Sequence, residues 1–274
     1  MRFQIKRLLC YVLGFVLFYA PFALFQKIIN CFLTGKWQEM TIHSLCLRIP
    51  TEHILDGKIL QYASVSVVSL GILLVVSFLF GPVFCGRLCP AGALTEYLSK
   101  LVPDKFQINW RKYTEIAPLR YGMLAGFCLA PFLGEILACA YCNYFLFDLL
   151  TNYYLRGYFI SMSSSLIVTA ILWLVIFGLF TKGGRGYCNF LCPVGALQNL
   201  LHFFSSYLPF VRRMYVDKNQ CIGCKKCAQY CPMQAITLNG EKAEISLHNC
   251  IICGQCAHEC PVQAIHYEAK HHEK

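Results

Sequence analysis

Charge is what this chain has least of. Only 14% of its 274 residues are Asp, Glu, Lys or Arg, while 57% are apolar, against about a quarter charged in an ordinary soluble domain. A globule facing water on every side is not what this composition predicts. A phosphate loop is missing too, because Gly183-Gly184-Arg185-Gly186 lacks the preceding strand and the following Lys-Ser/Thr. No Ser-His-Asp constellation is legible, so nucleophilic hydrolysis has no support. Acids are the scarcer sign, 14 against 24 Lys and Arg, for a net charge of +10. That surplus has an address: residues 217–274 hold six basic and six acidic residues, so all of it lies in the apolar part. A hydrophobic polycation excludes nucleic acid as the expected partner and reads as the positive-inside pattern of a membrane protein.

Four apolar runs approach the ~20 residues a spanning helix needs: Leu8–Phe25, Tyr62–Phe80, Ile116–Leu137 and Tyr158–Phe180. Arg2, Lys6 and Arg7 precede the first, which lacks a small-residue cleavage site and so reads as a retained signal anchor. Basic residues after the second and fourth runs place both termini inside, and Tyr141, Tyr144, Tyr153, Tyr154 and Tyr158 suggest an interfacial aromatic belt. The predicted fold is an α-helical integral membrane protein with four transmembrane helices over residues 1–213. A small α+β domain follows over residues 214–274, on the cytoplasmic side.

What the chain has in abundance is cysteine, 18 in all. Residues 81–98 read GPVFCGRLCPAGALTEYL and residues 184–201 read GRGYCNFLCPVGALQNLL. The motif Cys-x3-Cys-Pro followed by Gly-Ala-Leu therefore occurs twice, each time after an apolar run, which predicts a helix pair used twice. Cysteines at i and i+4 share one helix face, and two copies packed about a pseudo-two-fold axis would converge Cys85, Cys89, Cys188 and Cys192 near the membrane edge. Four thiols suit a third iron–sulfur cluster or a copper ion; a redox dithiol pair or plain packing are the other readings.

Residues 221–232 read CIGCKKCAQYCP and residues 250–261 read CIICGQCAHECP, each followed by Gln-Ala-Ile. Both are Cys-x2-Cys-x2-Cys-x3-Cys-Pro, the run of the bacterial two-cluster ferredoxins, and zinc ribbons lack the third cysteine. Between them, Thr237-Leu238-Asn239-Gly240-Glu241 and Ala243–Leu247 read as strand, turn and strand. The resemblance to two-cluster ferredoxins implies two [4Fe-4S] clusters with crossed ligands: Cys221, Cys224, Cys227 and Cys260 for one, Cys250, Cys253, Cys256 and Cys231 for the other.

Taken together, from about residue 62 to residue 268, these motifs resemble the membrane-bound polyferredoxins of the NapH, NosR and CcoG group, closest to the short NapH-like form. There is no room in the chain for the flavin-binding or immunoglobulin-like additions of longer members. The resemblance implies a multi-pass protein of a prokaryotic inner membrane. It would relay electrons between its ferredoxin domain and a membrane site, with the lipid bilayer, a quinone or redox partner protein, and other oxidoreductase subunits as partners. A copper reductase and a redox-sensing regulatory subunit are the rival functions.

Minor candidates complete the reading. Cys139 and Cys142, with Glu135 one turn before, form a Cys-x2-Cys that could be a redox pair. His43, His53 and His202 are candidate haem or quinone partners, and His258 lies within the second cluster motif, where it could tune a cluster. His266, His271 and His272 read as tail, and Cys10, Cys31, Cys46 and Cys128 as small apolar residues.

Overall fold

The computed structural model describes residues 2–42, 47, 64–130, 142–156 and 164–269. Helix α1 runs Arg2–Phe18, α2 Leu24–Thr34 and α3 Ser64–Phe80. A π-helical turn, Phe84–Leu88, leads into α4, Pro90–Ser99, and α5 follows at Ile116–Leu129. Next come α6, Asn143–Arg156, and α7, Ser164–Ala170, which continues as a π-helical segment over Ile171–Leu179. Short α8, Gly186–Phe190, precedes α9, Pro193–Ser205. Each Cys-Pro motif does the same local work. Pro90 and Pro193 occupy the first turn of α4 and α9, where a missing N–H costs nothing, and hold Cys89 and Cys192 extended at ψ 104° and 109°, as a residue before proline must be.

The four-span membrane fold expected from the apolar runs is corrected here. Among the described residues no helix is long and apolar enough to cross a membrane. In the first run, α1 stops at Phe18, just ahead of Pro21, whose ring and missing donor stop a helix. Helix α3 is described over 17 residues, about 25 Å at 1.5 Å per residue, short of a ~30 Å hydrocarbon core. Helix α5 is described over 14 residues, and the fourth run divides between α7 and the π-helical segment. The apolar positions also serve two ends at once. Leu70, Leu73, Leu124, Leu166 and Trp173 are buried in the protein core, whereas Leu9, Val12, Val75, Leu119 and Ile167 are exposed on its outer face.

Beyond α9 the chain forms a unit of four short strands and two short helices. Strand β1, Arg212–Val216, pairs antiparallel with β4, Ile265–Ala269, so the unit is closed by its own ends. Strands β2, Ile236–Asn239, and β3, Lys242–Ile245, form the hairpin around Gly240, whose φ of +60° glycine adopts freely. Short helices α10, Lys226–Gln229, and α11, Gln255–Glu259, each follow a cysteine loop.

This unit is docked on the helices through backbone as much as side chains. Asn199 on α9, fully buried, donates from Nδ2 to the carbonyls of Leu247 and Cys250, both at 2.7 Å. Gly86 lies so close to Ile251 O that a Cβ would clash with it, and Gly14 of α1 lies equally close to Leu88 O. Gln234 ties the same unit to the Arg111 amide and to Lys182 O. Replacing Asn199 by alanine leaves two buried carbonyls without their donor, at about 1–3 kcal/mol for each unmet group. The expected result is faster proteolytic release of residues 212–269 from Asn199→Ala than from the parent; equal rates would show that the contact does not hold the unit down.

Candidate functional site

The two Cys-x3-Cys-Pro copies meet. Cys85 leaves the π-helical turn, Cys89 caps α4, Cys188 lies in α8 and Cys192 caps α9. The expected sharing of one helix face does not hold for Cys85 and Cys89, because the helix ends at Leu88 and restarts at Pro90. What brings the thiols together is packing between the copies. Tyr144 Oη lies 3.9 Å from both Cys89 Sγ and Cys192 Sγ. A Cβ on Gly195 would sit 3.7 Å from both Cys192 Sγ and Cys85 Sγ, and one on Gly92 would sit 3.4 Å from Cys188 Sγ. Each Pro-x-Gly glycine thus leaves space against a cysteine of the opposite copy. Burial pushes the Cys188 thiol up to about 12 and the Cys192 thiol up to about 11, so protons stay on these sulfurs until a metal centre displaces them.

The other eight cysteines fall into two sets. Cys221, Cys224, Cys227 and Cys260 wall one small apolar cavity, and Cys231, Cys250, Cys253 and Cys256 wall another. The repeat explains the local geometry. Gly223, Lys225 and Gln234 have φ of +68°, +64° and +51°, and their counterparts 29 residues on, Ile252, Gly254 and Gln263, have +53°, +75° and +51°. The left-handed Gln in each Gln-Ala-Ile segment turns the following amide onto sulfur: Ala235 N donates to Cys231 Sγ and Ala264 N to Cys260 Sγ, both at 3.3 Å. Burial pushes Cys231 up to about 12. Exposure differs between the sets, since Cys224 is exposed whereas Cys250, Cys253 and Cys256 are buried.

Among the described residues, no three His, Cys, Asp or Glu side chains close to the spacing of a single-ion site, which would draw thiolates to about 2.3 Å from one point. Two of the three cysteine sets line small cavities of their own. Arg120 adds a second indication. It is 1% exposed, donates from Nη1 to His248 O at 3.0 Å, and has no hydrogen-bond partner for Nε or Nη2. A buried guanidinium beside four thiols matches an anionic cluster.

Sequence reasoning missed a buried charge network beside this site. Glu96 of α4 accepts from Arg7 Nη2 at 2.7 Å and from Arg185 Nε at 2.8 Å, with all three side chains almost fully buried. Tyr11 Oη receives Arg7 Nη2 and Arg185 Nη2, both at 2.9 Å, and donates to Gly86 O. Arg185 Nη1 reaches Cys85 O at 2.7 Å, and Arg7 Nη1 reaches Gln255 Oε1 of α11 at 2.8 Å. Burial acting alone would raise the Glu96 pKa, but Arg185 and Arg7 outweigh it and hold the carboxyl below the usual carboxylate range. The only sequence signal was an acid inside an apolar-rich stretch.

A cavity of about 390 Å³ adjoins the four-thiol site, lined by Met123, Phe127, Cys142, Tyr144, Leu172 and Cys192 among others. Tyr144, expected in an interfacial belt, is buried between cavity and thiols. Cys142 lines the cavity, while Cys139, Glu135, His43, His53, Cys46, His271 and His272 lie outside the described residues. His202 is fully buried, neither ring nitrogen has a partner, and burial with the charge of Arg213 pushes it down to about 4, so it is neutral. His258 stacks on Phe3 and meets Glu259 Oε1 at 3.1 Å. Cys31 and Cys128 are exposed.

Known proteins carry the same parts. Residues 63–109 and 165–210 each match the 4Fe-4S binding domain, and residues 213–261 match the 4Fe-4S dicluster domain. An uncharacterised protein of Methanocaldococcus jannaschii is 27% identical over 203 residues, 71% of this chain and 76% of that protein. The putative electron transport protein YccM of Escherichia coli is 27% identical over 184 residues, 65% of this chain and 49% of YccM. The ferredoxin-type protein NapH of Haemophilus influenzae is 28% identical over 211 residues, 75% of this chain and 64% of NapH. The chain thus spans about half to three quarters of the length of these relatives, from 49% to 76%. No solved structure matches it. A chain with these domains is a polyferredoxin, an iron–sulfur protein of the ferredoxin electron-transfer type. It belongs to the NapH/NosR group of polyferredoxins.

Glu96→Gln leaves two buried guanidinium groups around a neutral amide, and the expected loss is about 3–5 kcal/mol, read as a lower urea midpoint at pH 7. Because the folded-state pKa of Glu96 is depressed, its contribution is complete above about pH 4.3, the ordinary glutamate value, and is lost as pH falls through the folded value. Parent and variant should therefore differ at neutral pH and converge in acid; a gap that persists unchanged in acid would rule out the ionised carboxylate as its source.

Proposed function

We propose that the chain is a three-cluster electron relay, with a solvent-facing end at the Cys221, Cys224, Cys227 and Cys260 set and a buried end at the Cys85, Cys89, Cys188 and Cys192 set. The Cys231, Cys250, Cys253 and Cys256 set stands between them. An iron–sulfur cluster on each set would supply one-electron transfer at potentials tuned by charge, hydrogen bonds to sulfur and solvent access. The observation that carries this reading is the close fit of the Ile251–Cys253 loop against Gly86. It makes the backbone of one ligand set the neighbour of Cys85 in the next.

The protein's own groups fit these roles. The Ala235 and Ala264 amides point at Cys231 and Cys260 sulfur, and Tyr144 stands between Cys89 and Cys192. The apolar cavity beyond Tyr144 has the size and lining of a small-molecule site, which supports a lipid-soluble redox partner such as a quinone at the buried end. Exposed Leu9, Val12, Val75 and Ile167 support contact with the lipid bilayer. A redox protein would meet the exposed end, where Ile222 and Cys224 reach the surface.

Iron and acid-labile sulfide per chain test the relay. Anaerobically purified protein should hold about 12 irons, falling to about 8 when Cys85, Cys89, Cys188 and Cys192 become serine. About 8 irons in both would remove the buried end from the relay.

A further inference from the structure

Arg120 is an anomaly that electron relay alone does not explain. Its side chain is 1% exposed, yet among the described residues it has no carboxylate partner, and two of its three nitrogens make no hydrogen bond. Placing an unpaired guanidinium in a protein interior costs several kcal/mol, and an anion beside it would offset that cost. Gly195 locates where: a Cβ there would sit 3.1 Å from Arg120 Nη2 and 3.7 Å from the sulfurs of Cys192 and Cys85. The free nitrogen and two thiols thus face one small volume. The other buried cations nearby are different in kind, because Arg185 and Arg7 share the carboxylate of Glu96.

The remaining nitrogen is also informative. Nη1 donates to His248 O, and Tyr121 Oη meets His248 Nδ1 at 2.9 Å. Residue 248 stands two positions before Cys250, so Arg120 links the four-thiol site directly to the strand of chain entering the next ligand set.

We propose that Arg120 is the fixed counter-charge of the four-thiol site, a positioning residue that raises the reduction potential of the cluster held there relative to the two ferredoxin-type clusters. Each electron gained adds negative charge to the cluster, so a permanent positive charge at this range favours the reduced form. This rests on the three-cluster reading, and its test separates the two.

The test is an EPR-monitored redox titration of the full chain as parent, as the four-serine variant, as Arg120→Gln and as Arg120→Lys, with iron counted in each. The signal that vanishes in the four-serine variant identifies the buried site; if no signal and no iron vanish, the relay reading fails and the counter-charge falls with it. With that signal in hand, Arg120→Gln should move its midpoint to lower potential, leave the other two midpoints in place, and Arg120→Lys should stay near the parent. An unmoved midpoint in Arg120→Gln, or equal shifts of all three signals, would overturn the counter-charge role with the relay intact. Should Arg120→Gln lose the four irons outright, Arg120→Lys decides: iron restored by lysine supports the charge, and iron lost in both variants refutes it.

Discussion

The surroundings of the four clustered thiols lean on one buried carboxylate. Glu96 draws together Arg7 from the start of the chain and Arg185 from the turn before the second cysteine motif. Through those two arginines it reaches Cys85 O, Tyr11 and Gln255. A group so placed is strongly destabilising when either partner is missing, and that makes the arrangement specific as well as strong. Helix α1, both repeat copies and the ferredoxin unit all meet at this network. Of its three charges only Arg7 comes from outside the two copies, so helix α1 helps fix how the copies meet.

Burial sets one of the three cysteine groups apart from the other two. The outer set includes exposed Cys224, the middle set is largely buried, and Cys85, Cys89 and Cys192 are buried as well. Water screens charge at the outer end, whereas at the inner end every fixed charge acts at low dielectric. Arg120, Arg185 and Tyr144 stand beside the inner site, whereas the outer one meets the Ala264 amide and Lys242.

Local pattern made the tail readable. The cysteine spacings, the Gln-Ala-Ile repeats and the Asn-Gly turn each encode geometry within a few residues, so β2 and β3 flank Gly240 as the strand–turn–strand pattern has it. The apolar runs were less faithful, because hydrophobicity records only that a residue avoids water. Leu70 and Trp173 avoid it inside the protein, and helix length is set by Pro21 and by the π-helical segment, features a run of apolar letters does not display. Glu96, Arg7, Arg185 and Arg120 were illegible for another reason. Glu96 lies 89 positions from both Arg7 and Arg185, and Arg120 lies 128 from His248, and no spacing rule connects them. Tyr144 was misplaced because five tyrosines near one another look like a belt until one of them is found against sulfur.

The reciprocal placement of Gly92 and Gly195 carries a last consequence. Each glycine opens space for a thiol of the other copy, and each copy owns only two of the four thiols. A polypeptide bearing this motif once would hold half a site and could finish it only by pairing with a second molecule. By joining both halves in one strand, this chain makes the pairing intramolecular, so the site assembles at the same ratio however dilute the protein is. The two halves are also free to diverge: Glu96 stands on one and His202 on the other, an asymmetry that a dimer of identical chains could not hold.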